Sequence, residues 1–250
     1  MSEGTRAVSN RAWGALPRLR TRSLEPEILD DQSLDHAERI RALVGLRRIN
    51  ALSLTRRSLW RVVREVAAGN PGTPLRVLDI ASGGGDTAIG LSLCAQRDGI
   101  PVEVHGCDLS VDSVAYAHSQ ARKAGASTSF FVRDIVEDGV PEGYDVIINT
   151  LFMHHLTDSA AQRLLKSMCA AAKRQVIISD LNRCCSGYLM AYWVCRILSR
   201  SFVVHNDAPL SVLAAFTPKE FASLADAEGI SGYSIRRTWP CRFLFTWRPQ

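Results

Sequence analysis

The chain has 250 residues, 46% of them apolar, and a formal net charge of +5 at neutral pH. That length fits one large domain, or one domain with an appendage, and the apolar content builds a sizeable core. A charge this modest, without a basic stripe of interleaved aromatics, argues against nucleic-acid binding. Seven cysteines, an odd number with no Cys-x-x-Cys pair, argue against a disulfide framework or a zinc ribbon. They read as reduced, mostly buried thiols of a cytoplasmic protein.

Residues 1–24 read as a basic tail, with Arg6, Arg11, Arg18, Arg20 and Arg22 against the single acid Glu3. No continuous apolar stretch marks a secretory signal. An organelle transit peptide fits the composition too, but a frayed terminus is the preferred reading. Residues 25–70 are expected to form a helical cap. Leu24 to Asp31 looks like a turn, and Ser33 is the expected N-cap of a first helix. Leu43, Leu46, Ile49, Leu52 and Leu54 continue its apolar spacing. A second helix is predicted from Thr55 to Ala68, with Val62, Val63 and Val66 facing the core. Gly69-Asn70-Pro71-Gly72 links it to the main domain, 71–250.

That domain alternates strand and helix. The predicted strands are Leu75–Ile80, Val102–Cys107, Ser129–Arg133, Tyr144–Thr150 and Gln175–Ser179. Helices are expected over Thr87–Arg97, from after Ser110 to Ala124, and from Thr157 to Ala172. The pattern predicts an α/β fold, a doubly wound Rossmann-like sheet with its site at the carboxyl ends of the strands. Gly187 to Cys195 is too short to span a bilayer. It reads as a core-facing helix, or as a wall of an apolar pocket laid against a membrane surface. Thr217-Pro218-Lys219-Glu220 opens a capped helix to Ala227, which Gly229 ends. Ile230–Thr238 and Arg242–Trp247 then read as strands joined around Pro240, an antiparallel end to the sheet.

The first strand runs into Asp79-Ile80-Ala81-Ser82-Gly83-Gly84-Gly85-Asp86-Thr87. A strand, a tight glycine turn and a helix start make a small-molecule site that favours an anionic group. Gly83 and Gly85 leave a dinucleotide fingerprint open, with Ala88 where its third glycine would stand, while no Gly-Lys-Ser/Thr follows for a P-loop. Asp79, Asp108 and Asp134 stand at three successive strand ends. Asp108 lies 23 residues beyond Gly85, which suits a carboxylate that accepts from ribose hydroxyls. That would serve NAD as well.

The Asp79 loop resembles the first motif of class I S-adenosylmethionine-dependent methyltransferases, with Ala81 in place of the usual first glycine. The likeness spans about residues 73–182 and implies the seven-stranded methyltransferase fold and S-adenosylmethionine as cofactor. Asp79 would order the loop and the methionine end, and Asp108 would bind the ribose. Asp134 would accept from the adenine amino group, with Leu109 and Ile135 covering its faces. Ala81, Gly83, Gly85 and Thr150 complete the implied cofactor contacts. Asn149 to Leu156 is similar to the strand-four exit of ubiquinone- and menaquinone-type enzymes. Gly45 to Asn50, Asp180 to Arg183 and His205 to Ser211 resemble phenolic polyketide and alkylresorcinol O-methyltransferases.

The resemblance implies methyl transfer to a small, aromatic, apolar acceptor, most readily at a phenolic oxygen. A phenol has a pKa of about 10, so a positioned base accelerates transfer by roughly 10²–10⁴-fold. His155 is the first candidate, then His154, then His205 near Asp207, with structural roles as the alternative for each. No metal is expected, since no ligand spacing on one helix is present. C-methylation of a quinone precursor, a nicotinamide-dependent oxidoreductase and a non-catalytic S-adenosylmethionine-binding protein are the competing readings.

Overall fold

The structure, a computed structural model, describes residues 19–31, 33–69 and 72–249. Most of the expected basic tail, residues 1–18, lies outside these, as do Asn70 and Pro71 of the expected linker. The tail's last residues are docked rather than frayed. Arg22 donates to the carbonyls of Ala214 (2.7 Å) and Leu156 (2.8 Å), and its guanidinium sits over the Phe216 ring.

Helix α1 spans His36–Leu52 and α2 Thr55–Ala68. Asp35, not Ser33, caps α1, its carboxylate accepting from the N–H groups of Ala37 and Glu38. Ser33 is drawn back instead onto the Asp31 side chain. The alternation that follows is β1 (Leu75–Ile80), α3 (Asp86–Asp98), β2 (Val102–Asp108), α4 (Val111–Ala124), β3 (Thr128–Val132) and β4 (Val146–Thr150). A short 3-10 turn, Met153–His155, leads to α5 (Asp158–Ala171) and β5 (Gln175–Leu181). Then come α6 (Cys185–Leu198), α7 (Phe202–Ala214), α8 (Pro218–Ala227), β6 (Ser234–Thr238) and β7 (Arg242–Trp247).

The seven strands form one sheet in the order β3-β2-β1-β4-β5-β7-β6. The first five are parallel, and β7 runs antiparallel to both β5 and β6. This is the expected doubly wound sheet with an antiparallel end. Successive residues feed opposite cores, as strand pleating requires. Leu78, Ile80, Ile147 and Ile178 pack toward α5 and α8, with Leu165, Met168 and Phe221. Leu75, Val77, Ile148 and Ile177 pack toward α2, α3 and α4, with Leu59, Leu91 and Ala117. Both faces are covered, so the strands read as continuous apolar runs rather than alternating ones.

The strand expected from Ile230 begins only at Ser234. The segment around His205, to which the sequence reading assigns no element, is a full helix, α7, holding Pro209 inside it. Burial of Val203, Val204 and Val212 outweighs the proline's missing donor. At Thr217 the expected cap is present in full: its hydroxyl accepts from the Glu220 N–H, and the Glu220 carboxylate accepts from the Thr217 N–H at 2.8 Å.

Candidate active site

Three residues of the β1–α3 loop adopt the left-handed conformation: Ala81 (φ 51°), Gly83 (φ 51°) and Gly85 (φ 78°). Ala81 thus takes a backbone that a glycine would hold without strain. The two glycines serve different ends. A Cβ on Gly85 would stand 2.6 Å from Phe130 Cζ, so Gly85 lets the loop pack onto β3. A Cβ on Gly83 would meet nothing within 4 Å. Gly83 therefore faces open space at the carboxyl end of the sheet. No side chain of the residue before α3 caps its N-terminus, which leaves the N–H groups of Asp86 and Thr87 outside the helix's own ladder.

Four acids surround this loop. Asp79 is wholly buried, and neither carboxylate oxygen makes a well-formed hydrogen bond. Burial pushes its pKa up to about 8, only partly offset by the backbone N–H of Ala88. Asp86 is raised to about 6, again by burial, with Arg47 and Asn50 opposing. Asp108 is raised by burial too, although its oxygens accept from the N–H groups of Gly83 (2.7 Å) and Ser110 (2.9 Å). Asp134 uses one oxygen to accept from the N–H groups of Val136 and Glu137, which closes the turn after β3. Ile135 is turned into the core, away from a position over a ring, whereas Leu109 is 56% exposed beside Asp108. Buried acids raised in this way gain stability from a cation placed among them.

At the exit of β4, the Thr150 hydroxyl lies 3.1 Å from that of Thr87, tying this strand end to α3. The chain then turns through Leu151 (φ 56°) into the 3-10 turn that carries both histidines. His154 is buried, and its Nδ1 meets Asp180 Oδ1 at 2.6 Å. The other Asp180 oxygen accepts from the His154 backbone N–H. Asp180 stays below the usual carboxylate range because His154 and the Leu181 N–H outweigh its burial. It therefore accepts, His154 Nδ1–H donates, and Nε2 is the ring atom left to take a proton.

His155 is held differently. Its Nδ1 lies 2.9 Å from Asp30 and its Nε2 3.9 Å from Glu27. Burial works against the imidazolium, but the Asp30 hydrogen bond and the Glu27 charge raise its pKa to about 9. These contacts favour the imidazolium at neutral pH, the opposite of the free base that the sequence expectation asks of His155. Glu27 is itself raised by burial and accepts from Ser211 Oγ at 2.6 Å. The backbone of Ile28 and Leu29 is clamped by the Asp207 carboxylate, each N–H at 3.0 Å. Arg39 fixes the carbonyls of Leu29 and Asp31.

The structure therefore brings Asp79, Gly83, Gly85, Asp108 and Thr150 to one end of the sheet, with His154 and His155 beside them. His205 is not brought in: its Nε2 is spent on the Ser199 carbonyl at 2.7 Å, inside α7. Asp180, Glu27, Asp30, Asp86 and Asn50 join the site without having been predicted there. Glu27, His154 and His155 also place three metal-capable atoms within 4.8 Å of one another, a grouping no sequence spacing announces.

Residues 77–175 match the methyltransferase domain family. No curated protein matches the chain in sequence. In fold it is similar to a putative O-methyltransferase from Nostoc punctiforme PCC 73102, at TM-score 0.61 and 18% identity over 92% of this chain and 65% of that one. It is similar also to magnesium protoporphyrin IX methyltransferase from Synechocystis PCC 6803 with bound SAH, at TM-score 0.56 and 17% identity, covering 85% and 87% of the two chains. A third is an O-methyltransferase family 2 protein from Planctomyces limnophilus DSM 3776 in complex with apigenin, at TM-score 0.58 and 15% identity over 87% and 63%. At these identities the likeness is one of fold.

Proposed function

We propose that this chain, an S-adenosylmethionine-dependent methyltransferase by its domain and its fold, methylates a phenolic oxygen of a small, aromatic, apolar acceptor. The observation that carries the oxygen assignment is the His154–Asp180 pair, a base with a fixed tautomer beside the exit of β4. The O-methyltransferase and apigenin-bound neighbours support it. They also support a place in secondary metabolism.

The residues present fit the cofactor. Gly83 leaves open space over the loop, Asp108 keeps acceptor capacity for ribose hydroxyls, and Asp79 is a buried acid whose oxygens make no well-formed hydrogen bond. When bound, S-adenosylmethionine supplies an electrophilic methyl group on a sulfonium. The chain's own part is to position the acceptor oxygen in line, keep water out and remove one proton. His154 Nε2 takes that proton, and Asp180 stabilises the imidazolium that results. His155, already cationic between Asp30 and Glu27, lends positive charge to a developing phenolate.

The outward face of α6 supports the apolar character of the acceptor. Leu189, Trp193 and Ile197, four residues apart, are 44%, 49% and 80% exposed. Arg196 and Arg200 flank them, a combination suited to an anionic lipid surface. Among the described residues no helix is long and apolar enough to cross a membrane. All seven cysteines are unpaired, which supports a reducing, cytoplasmic compartment.

Mass spectrometry of products from a panel of phenolic and quinol acceptors tests the assignment. A gain of one methyl group on oxygen supports it. Methylation on carbon transfers the same fold to the quinone-precursor reaction and removes the need for His154 as a phenol base.

A further inference from the structure

The turn between β6 and β7 carries Cys241, and the residue before α6 is Cys184, 57 positions earlier in the chain. Antiparallel pairing brings them together. Leu181, the last residue of β5, is the register partner of Arg242, the first of β7. One step further out, the Asn182 N–H donates to the Cys241 carbonyl at 2.9 Å. The two cysteine side chains converge beyond that bond. Ser186 Oγ lies 3.4 Å from Cys184 Sγ and 3.4 Å from Cys241 Sγ, and the two thiols also hydrogen-bond each other. Gly187 makes the room: a Cβ there would stand 3.2 Å from Cys184 Sγ and 3.2 Å from Cys241 Cβ.

Cys184 and Cys241 are half-buried and Cys185 is exposed, so a small oxidant in solution reaches them. Other thiols are guarded. Burial pushes Cys107 and Cys169 up to about 12 and Cys195 up to about 11, which keeps their thiolates scarce. A disulfide holds its sulfurs about 2.05 Å apart. Here closure turns two side chains, one at an N-cap and one in a turn, and displaces the Ser186 hydroxyl that bridges them.

We propose that Cys184 and Cys241 form a peroxide-reactive thiol pair that closes to an intramolecular disulfide, stapling the start of α6 to the β6–β7 turn. Burial raises the Cys241 thiol, so the Cys184 thiolate is the one that attacks. It takes one oxygen of hydrogen peroxide, the O–O bond breaks, and the departing hydroxide picks up a proton to leave as water. Cys184 is then a sulfenic acid. The Cys241 sulfur attacks the Cys184 sulfur, the S–S bond forms and the S–O bond breaks. Hydroxide leaves with the Cys241 proton as a second water. The two thiols lose two electrons and the peroxide gains them. A thiol reductant reverses the closure, so in a reducing compartment the pair stays open until peroxide rises. The pair goes beyond the methyl-transfer reading and does not depend on which acceptor that reading assigns.

Brief treatment of the full chain with hydrogen peroxide, then alkylation and peptide mass mapping, tests it. The product is expected to have lost two hydrogens, to yield a Cys184–Cys241 linked peptide, and to recover all its free thiols with dithiothreitol. Cys241→Ser should lose the link and stop at a sulfenic acid on Cys184, which dimedone traps. Cys184→Ser should lose the link as well, while Cys185→Ser should close as the wild type does. Melts of the reduced variants check that they fold, and the wild-type map stands without them. The same treatment in guanidinium, where the geometry is gone, should scatter oxidation over the other cysteines. A link through Cys185, cross-links between chains, or no link at all in the folded wild type overturns the proposal. So does a Cys184–Cys241 link that forms equally well in the denatured chain.

Discussion

His154 Nδ1 and Asp180 Oδ1 are 2.6 Å apart, both residues are buried, and they come from the exits of neighbouring parallel strands. A carboxylate on Nδ1 leaves the opposite ring nitrogen as the acceptor, so the pair is a base with a defined direction. His154→Ala should lower kcat by roughly 10²–10⁴-fold, and Asp180→Asn should follow it through the wrong tautomer. Donor affinity should stay nearly unchanged in both. The deficit should shrink as pH approaches about 10, where a phenol ionises unaided. Activity should survive a chelator, since the Nδ1 atoms of His154 and His155 are already engaged by Asp180 and Asp30. Full activity in His154→Ala, or loss on chelation, rejects the base assignment.

His155 should matter to stability in a pH-dependent way. Its pKa is raised from 6.5 to about 9 on folding. The stabilising contribution is therefore complete below about pH 6.5 and lost as pH rises through 9. His155→Gln should cost about 1–3 kcal/mol at pH 6, and the difference from wild type should narrow sharply above pH 9. Denaturant unfolding of both proteins across that range measures it. A gap that does not change with pH means the Asp30 and Glu27 contacts are not ionic.

Asp79 runs the other way. Folding raises its pKa from 3.8 to about 8, so between these values the folded chain holds a proton that the unfolded chain has released. Stability attributable to Asp79 falls as pH climbs from 4 to 8. Asp79→Asn should therefore stabilise the ligand-free protein at pH 7, by on the order of a few kcal/mol, and do little at pH 4. The same change should weaken S-adenosylmethionine, because a cation's counter-charge is removed. A stabilised variant with unaltered donor affinity would separate Asp79 from the cofactor site.

These three residues show where sequence was and was not enough. Asp79 and the loop after it were legible because an apolar run, a carboxylate and three glycines are contiguous. Asp108 could be placed near that loop because strand–helix alternation fixes which residues reach strand ends. His154 and His155 were found as neighbours, but not what distinguishes them. Their difference lies in partners distant in sequence, Asp30 being 125 positions from His155. Glu27 and Asp30 carry no local signature at all. Helix α7 was missed because Pro209 and the polar run His205-Asn206-Asp207 mask the buried valines around them.

The exposed stripe of α6 should give weak membrane binding. Vesicles with anionic lipid should sediment the protein more than neutral ones, by electrostatic help from Arg196 and Arg200 of about 1 kcal/mol each. Ile197→Glu should abolish the effect without touching kcat on a short, soluble phenol. Equal recovery with both vesicle types would leave α6 without a lipid role.

Gly83 and Gly85 give the sharpest test of where the donor lies. Both have positive φ, so alanine strains either by roughly 1 kcal/mol. Beyond that they diverge. Gly85→Ala must push a Cβ to within 2.6 Å of Phe130 and 2.9 Å of Ala117, both core-packed, so it should unfold the loop and lower Tm markedly. Gly83→Val meets no protein atom within 4 Å of its Cβ, so the fold should survive with a modest loss. Its side chain stands instead in the space assigned to the ligand, and S-adenosylmethionine binding should disappear. Asp108→Ala, which removes the acceptor behind Gly83, should weaken the donor by about 1.5–3 kcal/mol. Calorimetry beside thermal melts reads all three. Normal donor binding by a folded Gly83→Val would move the cofactor off this loop and with it the reading of the whole site.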